Sequence, residues 1–325
     1  MEPMVAARLV VLGASILFAG AAFSQAAYPA KQVRMIVGFA PGGGSDILAR
    51  ALAQRLSATF GQPVVIDNRP GAGGAIGAEI GAKAAPDGYT LTVGSSGAFA
   101  VNPNLNAKLP YDVEKDFVPV GMFGTFPYVL LVHPSVPAKS VRELIALAKR
   151  TRGELNYGSA GSGSGNHLVT EYFLTLSGTR MTHVPYKGGI LALNALLTGE
   201  IEVAFDPIVT TMAQVNTGRI RPLAVSSAKR AAILPHVPTV SEAGVPGYEA
   251  ANWFGVFAPA GTSRTIVERL NAAINKAVNA PEMKQTLHAQ GADALSGTPE
   301  DLAELLRREL GKYKVIVKNA EASLK

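Results

Sequence analysis

The chain contains no cysteine among its 325 residues. A disulfide framework, a thiolate zinc site, an iron–sulfur cluster and a thiol nucleophile all require cysteine, so these four are excluded. Charged residues are also scarce, at 17%, whereas apolar residues make up 48%. A disordered chain shows the opposite balance, so the composition predicts a folded protein with a substantial hydrophobic core.

Long apolar runs are missing beyond the N-terminal segment. A polytopic membrane protein needs several runs of about 18 or more apolar residues, so that class is excluded. Lys and Arg outnumber Asp and Glu by 30 to 24, which gives a net charge of +6. These basic residues are scattered, with no run longer than two. A basic stripe is therefore absent from the sequence, and we expect no nucleic-acid partner.

The N-terminal segment has the layout of a secretory signal peptide. An apolar stretch over residues 9–23 follows Arg8, and Ser24-Gln25-Ala26 places small residues at the −3 and −1 positions. This pattern predicts a signal peptide over residues 1–26 with cleavage after Ala26. An exported protein without cysteine suits the bacterial periplasm. The alternative interpretation is an uncleaved membrane anchor.

Strand and helix patterns alternate along the rest of the chain. Apolar runs between Gly- and Pro-rich turns predict strands, and apolar residues at helical spacing predict helices. The alternation predicts an α/β fold with mostly parallel sheets joined by crossover helices. The predicted strands cover residues 33–37, 64–66, 90–93, 128–132, 155–157, 201–205 and 221–226. The predicted helices cover 45–60, 72–85, 141–149, 166–176 and 191–197, and a last helix begins at 298 with Leu302, Leu305, Leu306, Leu310 and Tyr313 on its buried face.

These elements form two α/β units within one chain. A crossing between the units is predicted near residues 124–127, and a return crossing near residues 248–254. We therefore expect a first domain over 27–126, a second domain over 127–250, and a return segment with C-terminal helices over 251–325 that completes the first domain.

Two glycine-rich loops carry the clearest chemical signal. Residues 39–46 (FAPGGGSD) and 159–165 (SAGSGSG) each lie between a predicted strand and a predicted helix. Glycine lets backbone N–H groups approach a ligand closely, and a helix N-terminus adds free donors and a positive dipole end. In an open α/β sheet such loops lie at the carboxyl ends of the strands, where ligands bind. Two loops facing each other would form an anion clamp; the alternative is that the glycines only make tight turns.

Signatures of cofactor binding and catalysis are missing. Neither loop has the lysine of a phosphate-binding P-loop, and Gly163, not serine, stands at the centre of 161–165. We expect no cofactor and no metal. His167 is interpreted as holding the second loop rather than acting as a base. Asp46 is interpreted as stabilising a helix start, and Asp206 as ending a strand at a domain edge, although either could contact a ligand's amino or hydroxyl group. An exported hydrolase or isomerase that uses Ser164, His167 and Asp46 is an alternative.

Ordered sequence blocks occur along the chain, including FAPGGGSD (39–46), GQPVVIDNRPGAGGAIGA (61–78), LPYDVEKDFVPV (109–120), YGSAGSGSGNHL (157–168), HVPYKG (183–188) and WFGVFAPAGT (253–262). In these blocks the chain resembles the Bug family, the extracytoplasmic solute receptors of the tripartite tricarboxylate transporters. The resemblance implies a two-domain, type II periplasmic-binding-protein fold that closes on its ligand like a Venus flytrap, without catalysis. It also implies a small carboxylate ligand, permease subunits as partners and a monomeric receptor.

The resemblance also implies which residues bind the ligand. They come from the two glycine-rich loops and from two further strand ends: Phe39, Gly42, Gly43, Ser45, Asp46, Ser95, Ser159, Gly161, Gly163, Ser164 and Asp206. The chain departs from the family pattern at Leu191 and Ala195, where the family has Pro and Asp, so the identity of the carboxylate stays open. A periplasmic ligand sensor that docks on a signalling receptor is the alternative to a transport receptor.

Overall fold

One sheet of nine strands organises the computed structural model, which describes residues 28–106 and 108–320. The signal peptide predicted over residues 1–26 lies outside the described residues. The strands are β1 (Val33–Val37), β2 (Val64–Asn68), β3 (Thr90–Ser95), β4 (Phe117–Val132), β5 (Asn156–Ser159), β6 (Thr182–Pro185), β7 (Val203–Pro207), β8 (Arg221–Val225) and β9 (Ala251–Pro259).

Helices connect the strands and cover the sheet. The α-helices of the described residues are α1 (Gly44–Phe60), α2 (Ala75–Ala82), α3 (Asn102–Leu105), α4 (Val141–Thr151), α5 (Gly165–Ser177), α6 (Gly189–Thr198), α7 (Ile208–Asn216), α8 (Arg264–Asn279), α9 (Pro281–Ala289) and α10 (Pro299–Ala320). A 3₁₀ turn over Ala72–Gly74 precedes α2, and a π-helical turn over Ser96–Val101 follows β3. Among the described residues, no helix has both the length and the apolar character of a membrane span.

The long strand β4 belongs to two halves of the sheet. The first half has the order β2-β1-β3-β9-β4, and the second has the order β6-β5-β7-β4-β8. In each half one strand opposes the other four, namely β9 in the first and β4 in the second. The strands therefore run mostly parallel, as predicted. β4 pairs with β9 as far as Pro127 and with β7 from Tyr128 onward, so it changes partner between these residues.

Each half of the sheet has its own hydrophobic core. In the second half, β4 and β7 pack against α5 through Phe173 and Phe205, whose ring centroids lie 5.7 Å apart. In the first half, Phe99 packs against Phe257, with ring centroids 4.5 Å apart. Helix α10 closes this core, and its predicted buried face is confirmed. Leu302, Leu306 and Tyr313 are buried, and Leu305 and Leu310 pack partly against the same cluster.

Several elements differ from the sequence prediction. β4 begins at Phe117 instead of 128, because two register shifts accommodate residues that interrupt its alternation. Helix α2 begins at Ala75 instead of 72, because Gly73 and Gly74 adopt positive φ angles of 65° and 97°. The sequence prediction also lacked β6, β9, α3 and α7.

Candidate functional site

A cavity of about 60 Å³ lies at the carboxyl ends of the parallel strands. Its walls come from the segments that follow β1, β3, β5, β6 and β7, together with β4 and β9, which cross between the two halves of the sheet. This is the location that open α/β sheets use for ligands. The lining residues are Phe39, Ala40, Gly43, Gly44, Ser45, Ser95, Gly97, Phe126, Tyr128, Ala160, Ser164, Gly165, Asn166, Gly189, Ile190, Asp206, Pro207, Thr210 and Asn252.

Four helices, α1, α5, α6 and α7, contribute their first turns to the cavity wall. In none of the four does an N-cap side chain accept a hydrogen bond from a backbone N–H group of the first turn. By contrast, the side chains of Ser140 and Ser263 accept such bonds at the starts of α4 and α8. The N–H groups of a first turn have no partner inside their helix, and they mark the positive end of the helix dipole. The cavity therefore offers N–H donors and a positive potential, which is the chemistry that recognises an anion.

Asp46 braces the first glycine-rich loop instead of facing the cavity. Its carboxylate accepts hydrogen bonds from the Gly42 N–H at 2.9 Å, from Arg50 Nε at 2.8 Å and from Asn68 Nδ2 at 2.9 Å. Burial alone would raise the pKa of Asp46, but the hydrogen bonds from Arg50, Gly42 and Asn68 lower it overall. The carboxylate therefore stays ionised and fixes the loop against β2.

Replacing Asp46 with alanine is expected to cost about 2 kcal/mol of the free energy of unfolding at pH 7, because three hydrogen bonds to a charged group are lost. Chemical denaturation of both proteins measures the difference. The pKa of Asp46 is lowered, so the wild-type advantage is present at neutral pH and disappears as acid protonates the carboxylate. Glu79→Ala, which removes an exposed ion pair with Lys83, is the control and should cost well under about 1 kcal/mol. Equal costs for the two variants would contradict the bracing role.

The second glycine-rich loop is held by side chains behind it. Ser159 Oγ lies 2.6 Å from His183 Nε2 and accepts from the Gly161 N–H at 3.1 Å. The Gly163 N–H donates to His167 Nδ1 at 3.1 Å, so His167 holds the loop as predicted. The rings of His167 and His183 stack with centroids 4.0 Å apart. Burial lowers the pKa of His167 to about 3 and that of His183 to about 4, so both rings are neutral.

These contacts leave Ser164 without a base that could activate its hydroxyl as a nucleophile. Ser164 Oγ donates to the Gly161 carbonyl at 2.6 Å and lies 2.8 Å from Asn166 Oδ1. His167 uses Nδ1 to accept from the backbone, and Asp46 is engaged in the first loop. The described geometry therefore gives Ser164 no imidazole to take its proton, which a serine hydrolase requires.

Asp206 provides the ionisable carboxyl of the cavity wall. Its side chain is 1% exposed at the end of β7. The Thr210 hydroxyl donates to Oδ2 at 2.8 Å, and Oδ1 has no hydrogen-bond partner among the described residues. Burial raises the pKa of Asp206 to about 7, so it is the group of the site that titrates near neutral pH.

The structure brings six of the eleven predicted ligand-binding residues to the cavity, and five lie elsewhere. Phe39, Gly43, Ser45, Ser95, Ser164 and Asp206 line the cavity. Gly42, Asp46, Ser159 and Gly163 take part in the hydrogen bonds that hold the two loops, and Gly161 lines an adjoining chamber.

Sequence reasoning missed polar residues that belong to the crossing segments and helix starts. Tyr128 and Asn252 lie on β4 and β9, next to the crossings that the sequence predicted. Asn166 follows the second loop directly. Thr210 lies four residues after Asp206, so its helical spacing was the available signal. Leu191 and Ala195, where the chain departs from the family pattern, lie on α6 but outside the cavity wall.

A second chamber of about 420 Å³ adjoins the cavity and shares Phe39, Ala40 and Ala160 with it. Exposed Lys187 is the one Lys, Arg or His among the described residues that line either space.

Comparison with known proteins gives one consistent family. The family model described as tripartite tricarboxylate transporter family receptor, TctC, matches residues 48–322. Protein BugT of Bordetella pertussis is 39% identical over 320 residues, which cover 98% of each chain. The structure of R. palustris Rpa4515 with adipate is 40% identical with a TM-score of 0.88, and covers 90% of this chain and 98% of that chain. MatC from Rhodopseudomonas palustris with bound malate is 34% identical with a TM-score of 0.84, and covers 89% of this chain and 100% of that chain.

These similarities confirm the predicted two-domain periplasmic-binding-protein fold and the resemblance to the Bug proteins. The family consists of periplasmic solute-binding receptors and not of enzymes. Because the family model covers most of the sequence, the chain belongs to the TctC family of tripartite tricarboxylate transporter receptors.

Proposed function

We propose that this protein captures a small carboxylate in the cavity and delivers it to a permease of the tripartite tricarboxylate type. One observation carries the proposal: four uncapped helix N-termini converge on a cavity whose described walls contain no Lys, Arg or His. Backbone N–H groups and helix dipoles bind a carboxylate without a cation. The relatives with adipate and with malate show that this fold accepts such ligands.

The receptor consists of two lobes that close over the ligand. The first lobe comprises residues 27–126 and 251–325, and the second comprises residues 127–250. The partner change in β4 between Pro127 and Tyr128 supports this division. The two lobes also approach each other closely where the turn after β3 meets the start of α5. A Cβ added to Gly97 in that turn would lie 2.6 Å from the Gly165 nitrogen. β4 and β9 are the hinge segments, and the receptor works as a monomer.

The ligand contacts within this cavity are Phe39, Gly43, Ser45, Ser95, Ser164 and Asp206. The remaining predicted residues, Gly42, Asp46, Ser159, Gly161 and Gly163, shape and hold the loops instead. The receptor acts in the periplasm after export, with cleavage of the signal peptide after Ala26.

A thermal-shift panel on the mature protein tests the proposal. The panel contains adipate, malate, tricarboxylates, aromatic carboxylates, amidated amino acids and neutral sugars. A carboxylate at about a hundred times its dissociation constant should add roughly 2.7 kcal/mol to the free energy of unfolding and raise the melting temperature. Neutral sugars serve as the control and should leave the melting temperature unchanged. Stabilisation by sugars alone, or by no carboxylate after removal of any co-purified ligand, would contradict the carboxylate assignment.

Delivery to a permease needs a separate measurement. The liganded receptor should be retained by membranes that contain the tripartite permease subunits, and the same membranes should then accumulate the carboxylate. Retention by a signalling receptor without accumulation would identify a sensor instead.

A further inference from the structure

Asp206 is a buried carboxyl with half of its hydrogen-bonding capacity unused. It is 1% exposed, and Thr210 Oγ1 donates to Oδ2 at 2.8 Å. Oδ1 has no partner among the described residues, and Asp206 lines the cavity. An unpartnered buried carboxyl oxygen is costly, so a hydrogen-bond partner that binds in the cavity would stabilise Oδ1.

The side chains that the structure describes around Asp206 supply no positive charge. Tyr128 faces it from β4, and burial together with the nearby carboxyl raises the pKa of that tyrosine, which stays neutral. Neither α6 nor α7 contains an ionisable side chain. Exposed Lys187, just before α6, lines the second chamber and not the cavity. At the start of α1, Asp46 is engaged by its own ion pair, and in α5 His167 is neutral.

A bound carboxylate and an ionised Asp206 would place two negative charges in the same small cavity. Like charges in a buried site disfavour each other, and one of the two groups then keeps a proton. The free N–H groups at the helix N-termini favour the ionised form of the ligand. Protonation of Asp206 removes the repulsion and converts Oδ1 from an unsatisfied acceptor into an O–H donor.

We propose that Asp206 is a neutral carboxyl in the loaded receptor and donates a hydrogen bond from Oδ1 to a ligand oxygen, so that the receptor captures a proton together with its carboxylate. This inference rests on the proposed function. It specifies the ligand class further: the group next to Asp206 is an acceptor oxygen, not an ammonium. Burial raises the pKa of Asp206 to about 7, which is in the range where ligand binding can draw a proton from solvent.

Isothermal titration calorimetry with adipate between pH 6.5 and 8.5 tests the inference. Adipate stays ionised across this range, because ordinary carboxyl pKa values lie near about 4. Titrations in two buffers with different ionisation enthalpies give the number of protons taken up. We expect uptake to rise toward about one proton per adipate at pH 8.5, and affinity to fall by about tenfold for each pH unit above 7. The same titrations with malate provide a second probe.

The matched variant is Asp206→Asn, which keeps the shape of the side chain and cannot titrate. Its adipate affinity should show no slope between pH 6.5 and 8.5. Proton release by the wild type, with affinity rising with pH, would identify Asp206 as an ionised acceptor and overturn the inference. Zero proton exchange would also overturn it, and so would a variant that keeps the wild-type slope. In these three cases carboxylate binding itself, and therefore the proposed function, still stands.

Failure of the proposed function has a different signature. If no carboxylate of the panel binds at pH 6.5, where Asp206 is mostly protonated, then both the function and the inference are wrong. If Asp206→Asn fails to fold, the wild-type proton count decides the inference alone.

Discussion

Replacing Gly97 with alanine is expected to weaken ligand capture by up to about a hundredfold. A Cβ at this position would lie 2.6 Å from the Gly165 nitrogen and 3.2 Å from the Gly165 Cα. The three nearest atoms all belong to Ser164 and Gly165, which lie in the second of the two proposed lobes. Backbone atoms cannot move aside as a flexible side chain can, and such overpacking costs about 1–3 kcal/mol. The two proposed lobes would therefore not close completely over the ligand.

The effect of Gly97→Ala can be separated from a folding defect. Calorimetry with the carboxylate identified in the panel measures affinity, and small-angle scattering measures whether the radius of gyration falls on ligand addition. Gly311→Ala is the matched control, because a Cβ added to this position of α10 meets nothing within 4 Å. The control should bind and close like the wild type. Wild-type affinity and closure in Gly97→Ala would show that the lobes do not approach this closely in the loaded receptor.

The strand–loop–helix units could be predicted from the sequence because their signals are local. Glycine and proline mark where β1 and β5 end, and apolar residues at helical spacing follow in α1 and α5. The position of the site at the carboxyl ends of the strands then follows from the alternating topology. The sequence also placed Asp46 in the first turn of α1, whereas its ion pair with Arg50, four residues later, is seen only in the structure.

The contributions of β4 and β9 to the cavity wall could not be predicted from local sequence signals. Tyr128 and Asn252 reach the site because β4 pairs with β9, and these strands are separated by more than a hundred residues. The interruptions in β4 also hid its first half, which the structure accommodates by two register shifts.

Asp46 and Asp206 show the limit most clearly. Asp46 lies in the first turn of α1 and Asp206 at the end of β7, and the sequence interpreted both as possible ligand contacts. In the structure Asp46 is engaged by Arg50, Asn68 and the Gly42 N–H, whereas Asp206 keeps one oxygen without a partner. The two carboxyl groups differ in their desolvation and in the side chains that tertiary packing brings near them. Neither factor can be predicted from the local spacing of residues in the sequence.

Gly43→Asp is expected to abolish carboxylate capture while maintaining or raising stability. Gly43 is the N-cap of α1, with extended φ and ψ of −78° and 164°, and it lines the cavity. An aspartate at an N-cap accepts hydrogen bonds from the free N–H groups of the first turn. This stabilises a helix by about a few tenths of a kcal/mol relative to glycine. The nearest atom to an added Cβ is the Ala40 carbonyl oxygen at 3.4 Å, so the Cβ fits.

The same aspartate would occupy the donors that we assign to the ligand and add a negative charge beside it. Two like charges about 4 Å apart cost on the order of 4 kcal/mol near a protein surface, which corresponds to about a thousandfold in affinity. Gly43→Ala leaves the donors free and should bind like the wild type within a few fold. Calorimetry measures the affinity of the three proteins, and chemical denaturation measures their stability. Only Gly43→Asp should show a lower affinity together with an equal or higher stability. Retained carboxylate affinity in Gly43→Asp would mean that the N-terminus of α1 does not hold the ligand, and the clamp would then rest on the other three helices.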